Sequence, residues 1–122
     1  MLYYKYMDKF YALADPNRRK ILELLASHGE LSASEISEKF QVSPSAISQH
    51  LKVLREAGVV RMEKRAQQRI YQINPQSMHE LEHWAHHMTQ LWTQRFDALD
   101  ALLQAEQHKT SQSQPRKENE YE

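Results

Sequence analysis

Apolar residues recur every three or four positions through most of the chain, which is the period of helices with one buried side. This spacing predicts a first helix over Leu2–Leu13. Asp15 suits the cap of a second helix and Pro16 its first turn, where a missing N–H costs nothing. We expect this helix to end near His28, because Gly29 suits the left-handed residue that closes a helix.

Two further helices follow with clear start signals. Ser32 and Glu35 have the spacing of a capping box, which predicts a short third helix. Ser43 is a good N-cap for a fourth helix over Pro44–Ala57, and Gly58 ends it. The pattern therefore predicts two short helices separated by a tight turn.

The period then changes from helical to alternating. Residues 59–63 and 69–73 are rich in β-branched and aromatic side chains, which predicts a two-stranded hairpin, a wing over residues 60–73. Pro75 restarts a helix whose 3–4 spacing continues to about Ala105. The order α-α-α-α-β-β-α is mainly α with a small β-hairpin and is typical of a winged helix-turn-helix.

The last helix carries more apolar surface than the preceding 74 residues can cover. We therefore expect a homodimer through the first and last helices. The expected interface residues are Leu2, Tyr3, Tyr6, Phe10, Trp84, Met88, Leu91, Trp92, Phe96 and Leu99. One domain over residues 1–107 and a disordered polar tail over residues 108–122 complete the predicted organisation.

Composition adds an asymmetry of charge. The chain has 16 basic and 16 acidic residues, but residues 1–74 carry 12 Lys and Arg against 8 Asp and Glu. This basic half contains the predicted two-helix unit, which favours a partner rich in phosphate. The absence of cysteine excludes disulfides and thiolate metal sites. No apolar run long enough for a signal peptide or membrane span is found, so we expect a cytoplasmic protein without a membrane partner.

The outer side of the fourth helix has the chemistry of a DNA-reading surface. Ile47, Leu51 and Leu54 must face the core, which turns small polar and basic side chains outward in positions suited to base edges. The wing tip, residues 64–69, adds three cations that can meet phosphates or the minor groove. We predict contacts to double-stranded DNA from Arg18, Arg19, Ser43, Ser45, Ser48, Gln49, His50, Lys52, Lys64, Arg65, Gln67, Gln68 and Arg69.

Residues 12–22, ALADPNRRKIL, and residues 43–60, SPSAISQHLKVLREAGVV, resemble the ArsR family of bacterial winged-helix repressors. The resemblance covers roughly residues 8–105 and implies a homodimer that binds an imperfectly palindromic operator and blocks the promoter. Its recognition helix falls on Pro44–Ala57. The chain departs from the family pattern because the wing tip lacks glycine and residues 33–40 lack the cysteines of the arsenic and cadmium sensors.

A group of histidines marks the start of the last helix. The metal positions that the family implies fall near Pro75, Ser77, Met88 and Leu91, so that pattern fails here. Histidines four residues apart on one helix can share a metal, but a polar outer side of an amphipathic helix has the same pattern. The candidate ligands are His79, His83, His86 and His87.

The sequence thus predicts a sequence-specific, dimeric DNA-binding repressor with no metal or cofactor. One alternative is a repressor that responds to metal or pH through the cluster His79–His87. Another is a helical protein-interaction module. An enzyme is not expected, because no carboxylate pair, activated nucleophile or phosphate-binding loop can be assembled. The effector, if one exists, is not indicated by any residue.

Overall fold

A computed structural model describes residues 9–113, with side chains described through residue 110. The first described helix, α1, spans Lys9–Leu13, so the predicted start of this helix lies outside the described residues. The interface residues Leu2, Tyr3 and Tyr6 lie outside them as well. Helix α2 spans Pro16–His28, as predicted.

The predicted caps of α2 are confirmed. The Asp15 carboxylate accepts hydrogen bonds from the backbone N–H groups of Asn17 and Arg18, at 2.8 and 3.1 Å. At the other end, Gly29 has φ of +87°, a conformation that side chains rarely adopt. The chain therefore turns sharply after α2 and passes into a strand.

Strand β1, Leu31–Ser32, precedes helix α3, Ala33–Glu38. The capping box is confirmed, because the Ser32 N–H donates to the Glu35 carboxylate at 2.8 Å and the Glu35 N–H donates to Ser32 Oγ at 3.1 Å. The sequence did not predict β1, since two residues are too few to show an alternating pattern.

Helix α4 spans Pro44–Glu56, and strands β2 and β3 span Val60–Arg65 and Gln68–Ile73. The sheet is antiparallel, in the order β1-β3-β2. Both wing strands reach farther toward the tip than predicted, which leaves only Ala66 and residue 67 in the turn. Ala66 has φ of +55°, which is unusual outside glycine.

The core lies between α2, α3, α4 and the sheet. The predicted inward residues of α4 are nearly inaccessible, and the alternating wing residues contribute Val60 and Tyr71. The largest fully buried apolar side chains are Ile21, Leu25, Ile36, Ile47, Leu51, Leu54 and Val59. Their burial holds α4 rigidly on one side and leaves its other side open.

The last helix, α5, spans Pro75–Ser113 and is longer than predicted. Residues 108–113 were expected to be disordered but are helical in the structure. Polar composition does not end a helix by itself, and the first strong helix breaker after Pro75 is Pro115. The contacts divide the chain into two compact units, one ending at Glu82 and the other beginning at His83. Between residues 9 and 113, no helix combines the length and apolar character needed to cross a membrane.

Candidate nucleic-acid interface

The outer side of α4 presents four polar side chains together. Ser45, Ser48, Gln49 and Lys52 are all exposed and follow the spacing of one helical face. This exposure is the one expected from the burial of the opposite face of α4. Hydroxyl, amide and ammonium groups at this spacing can donate to base edges and phosphates, and the hydroxyls and the amide can also accept.

Ser43 is the residue that caps the start of this helix. Its hydroxyl accepts a hydrogen bond from the Ala46 N–H at 3.2 Å, which caps α4. The same hydroxyl lies 3.2 Å from the Ser45 hydroxyl. Ser43 is exposed but already serves the helix, so Ser45 presents the freer hydroxyl of the two.

Lys64 and Arg69 lie directly opposite each other in the wing, because their Cα atoms are paired in the β2–β3 register. Residues opposite each other point to the same face of a sheet, and like charges there destabilise the pairing. Both are exposed, and neither forms an ion pair with any side chain described for this chain. This cationic pair is therefore a candidate contact for phosphate.

An open groove of about 420 Å³ extends from Arg69 of this pair to the helix-turn-helix. Arg69 lines the groove from the wing, Ser48 from α4, and Ser34 and Ser37 from α3. Ser48 of α4 and Arg69 of the wing therefore border one concave surface, which Glu38 of α3 also lines.

Arg65 lies on the other face of the wing, since side chains alternate along a strand. It donates to both carboxylate oxygens of Glu30, with Nη2–Oε1 at 3.0 Å, and to Oε1 of Glu63 through Nε at 3.2 Å and Nη2 at 2.7 Å. Gln72 Nε2 donates to the same Glu30 at 2.9 Å. Two carboxylates thus pair with Arg65, whereas Lys64 and Arg69 have no such partners among the described side chains.

The wing tip also carries two glutamines, Gln67 and Gln68. Gln67 lies in the turn and is exposed. Gln68 is exposed and paired in register with Arg65, which places it on the face away from the cationic pair. Both glutamines nevertheless line one shallow pocket together with Arg69, so each lies close to this cation.

Arg18, one of the predicted phosphate contacts, is directed to the end of α1 in the structure. It is only 8% exposed, and its Nε and Nη2 donate to the carbonyl oxygens of Ala12 and Tyr11 at 2.8 and 3.1 Å. Arg19 Nη1 donates to the Leu13 carbonyl at 2.6 Å. Both arginines therefore satisfy the last carbonyls of α1, where positive charge is favourable. This role also explains why Arg18 and Arg19 lie in the first turn of α2, where positive charge is otherwise unfavourable.

His50 lies on the inner side of α4, away from its exposed polar face. Its Nδ1 lies 3.4 Å from Arg18 Nη1, and its Nε2 lies 4.0 Å from a carboxylate oxygen of Asp15. The ring is half-buried on the inner side of the helix. His50 is three residues from Ile47 and four from Leu54, so the helical spacing in the sequence already indicates that it lies on the buried side of α4.

Three carboxylates of the winged unit have lowered pKa values. Hydrogen bonds from Arg65 and then Gln72 lower the pKa of Glu30, and those from Ser32 lower that of Glu35. Burial opposes the shift at Asp15, but the N–H groups of Arg18 and Asn17 lower its pKa overall. Hydrogen bonding to the charged form favours ionised carboxylates. Asp15 and Glu35 lie at the starts of α2 and α3, so these two helix starts depend on ionised carboxylates.

The histidines of α5 are exposed. By helical spacing, His83 and His86 lie on the opposite side from Met88, whereas His87 lies beside Leu91 at the edge of the apolar side. No group of three or more potential metal ligands lies together among the residues that the structure describes.

Two helices joined by a tight turn, followed by a hairpin that carries cations, define a winged helix-turn-helix DNA-binding protein. Residues 15–62 match the family of bacterial regulatory proteins described as the arsR family. The chain is 37% identical over 75 residues to the transcriptional repressor SdpR of Bacillus subtilis, spanning 62% of this chain and 82% of the relative.

Solved structures agree with this match. The crystal structure of an ArsR-family transcriptional regulator shares 31% identity with a TM-score of 0.62, over 68% of this chain and 84% of the other. An ArsR-like transcriptional regulator from Rhodococcus sp. RHA1 shares 25% identity with a TM-score of 0.74, over 85% and 94%. The chain belongs to the ArsR family and is a DNA-binding transcriptional regulator.

Proposed function

We propose that the chain is a homodimeric repressor of a palindromic operator, with α4 of each protomer in a major groove and the wing against phosphates. The carrying observation is that Ser48 of the exposed polar face of α4 and Arg69 of the wing line one groove, with Lys64 opposite Arg69 in the β2–β3 register. A helix that offers Gln49 and two serines to base edges can supply sequence preference. The cationic pair can supply affinity that does not depend on sequence.

The apolar side of α5 supports the dimer. Its large apolar residues are 44–65% exposed, which is more contiguous apolar surface than a monomer usually keeps in water. A second copy of the same helix would cover it and repeat α4 across a two-fold axis. The residues concerned are Trp84, Met88, Leu91, Trp92, Phe96, Leu99, Leu102 and Leu103. We place its action in the cytoplasm, since promoter DNA is the proposed partner.

Repression is proposed by analogy with relatives such as SdpR, which is named as a transcriptional repressor. A dimer that occupies two successive major grooves excludes polymerase from the same stretch of DNA. The chain offers no cysteine for thiolate sensing, so we propose a repressor that works without a cysteine-bound metal.

The test begins with selection of duplexes from a random library by the full chain. Affinity for the selected duplex and for a random duplex of equal length is then measured at about 50 and 200 mM salt, because phosphate contacts weaken with salt. We expect the selected duplex to bind at least about 1,000-fold more tightly. Equal affinity for both duplexes at both salt concentrations would contradict sequence-specific binding.

A further inference from the structure

We propose that Arg65 is a positioning residue that holds the wing tip for DNA and does not itself contact phosphate. This inference rests on the proposed function, because it assumes that the wing approaches the DNA backbone. It assigns roles to Glu30 and Glu63, two acids within a DNA-binding unit, and separates Arg65 from its neighbours Lys64 and Arg69.

The hydrogen bonds of Arg65 are the first argument. Four N–H groups of its guanidinium are directed to carboxylate oxygens, two to Glu30 and two to Glu63. A guanidinium has five N–H groups, so little donor capacity is left for a phosphate. Together the three side chains carry a net charge of −1, which does not attract a polyanion.

The placement of Glu30 is the second argument. Glu30 directly precedes β1, whose Leu31 and Ser32 are buried and paired with β3. Arg65 is the last residue of β2, next to the exposed turn. Their ion pair therefore joins the tip of a projecting hairpin to the body of the fold across 35 positions of sequence.

A two-stranded hairpin has little stability of its own, and this one turns through Ala66 without a glycine. A bidentate arginine bond fixes direction as well as distance, since both groups are planar. Fixing Arg65 fixes the pair Lys64 and Arg69 on the opposite face of the same two strands. Exposed ion pairs add little to global stability, so the expected effect falls on DNA binding.

The test measures affinity of the full chain for the selected duplex and a random duplex as a function of salt. Arg65→Ala is expected to weaken binding to both duplexes about five-fold. The slope of log affinity against log salt is expected to equal that of the wild type, because no phosphate contact is lost. Arg69→Ala, which removes a proposed contact, is expected to make that slope shallower by about one unit.

Two further variants separate positioning from direct contact. Glu30→Gln removes a negative charge yet is expected to weaken binding, because the ion pair that holds Arg65 is lost. If Arg65 itself bound phosphate, the same change would free its guanidinium and strengthen binding. Arg65→Lys keeps the charge but not the bidentate geometry and is expected to behave like Arg65→Ala. Glu23→Gln, an exposed acid on α2, is the matched control and is expected not to weaken binding.

Stronger binding by Glu30→Gln, or a shallower salt slope for Arg65→Ala, would overturn the inference and leave the proposed function standing. Unchanged binding by both Arg69→Ala and Gln49→Ala would overturn the proposed function, and the inference would fall with it. Thermal unfolding of each variant, expected to lie close to the wild type, shows that the changes in affinity do not arise from unfolding.

Discussion

Arg18 joins three elements through one guanidinium group. It donates to the carbonyls of Tyr11 and Ala12 at the end of α1, extends from α2, and reaches His50 on α4. The group also lies over the Tyr11 ring, with the Cζ atom 5.3 Å from its centre. Arg18 therefore fixes where α4 lies relative to the first two helices.

Arg18→Met is expected to lower the free energy of unfolding by about 2–3 kcal/mol, because charged hydrogen bonds to buried carbonyls are lost. Arg19→Met is the matched control, since Arg19 is exposed, and should cost under about 1 kcal/mol. Urea unfolding measures both. A stable Arg18→Met variant with weak DNA binding would instead assign Arg18 to phosphate.

Gln49 is the residue we expect to matter most for sequence preference. Gln49→Ala should weaken binding to the selected duplex by about 1–3 kcal/mol, since a bidentate contact to adenine is lost, with little change on random DNA. Lys52→Ala should weaken binding to both duplexes similarly. Competition binding with the two duplexes measures the ratio. Equal losses on both duplexes for Gln49→Ala would refute base reading by this side chain.

At the scale of elements, the helix starts depend on ionised carboxylates. Asp15 and Glu35 have folded pKa values below their ordinary 3.8 and 4.5, so they bind fewer protons folded than unfolded. Such groups stabilise the fold above their unfolded pKa values and lose this contribution as pH falls through the folded values. Unfolding free energy should therefore fall between about pH 5 and pH 2.

Urea unfolding from pH 6 to pH 2 measures this loss. Glu35→Gln keeps a hydrogen-bonding side chain but does not titrate, so its stability should vary less over the same range. A curve that is flat for the wild type, or equally steep for Glu35→Gln, would show that these caps do not carry the acid sensitivity.

Most element boundaries could be predicted from the sequence because their signals are local. Asp15-Pro16, Ser43-Pro44 and both glycines lie within one turn of the ends they mark. The roles of Arg18 and Arg65 could not be predicted, because their partners come from other elements. Glu30 is 35 residues from Arg65, and His50 is 32 from Arg18. Charge alone placed both arginines among the DNA contacts.

The end of α5 shows a second kind of limit. Low apolar content predicted disorder after residue 107, but the helix continues to Ser113. Residues 106–113 contain no glycine or proline, and their glutamines, glutamate and lysine are good helix formers, so a helix already started can continue through them. Composition indicates whether a segment can form a core, and helix propensity decides whether it stays helical.

At the scale of the whole molecule, the proposed homodimer through α5 can be tested by changing single residues of this helix. Leu91→Glu adds a charge within the exposed apolar side of α5 and is expected to convert the dimer to a monomer and lower operator affinity. Gln90→Glu adds the same charge on the opposite side and should leave the dimer intact. Sedimentation velocity measures both. A monomeric wild type, or a dimeric Leu91→Glu variant, would contradict the proposed interface.

A footprint on the selected duplex tests the central claim most directly, since it reports which groove α4 enters and how many copies bind. We expect the wild type to protect major-groove positions in two patches about 10–10.5 base pairs apart, or a multiple of that spacing, and Gln49→Ala to lose this protection first. A single patch, or protection confined to the minor groove, would contradict the account of a dimer that reads DNA with α4.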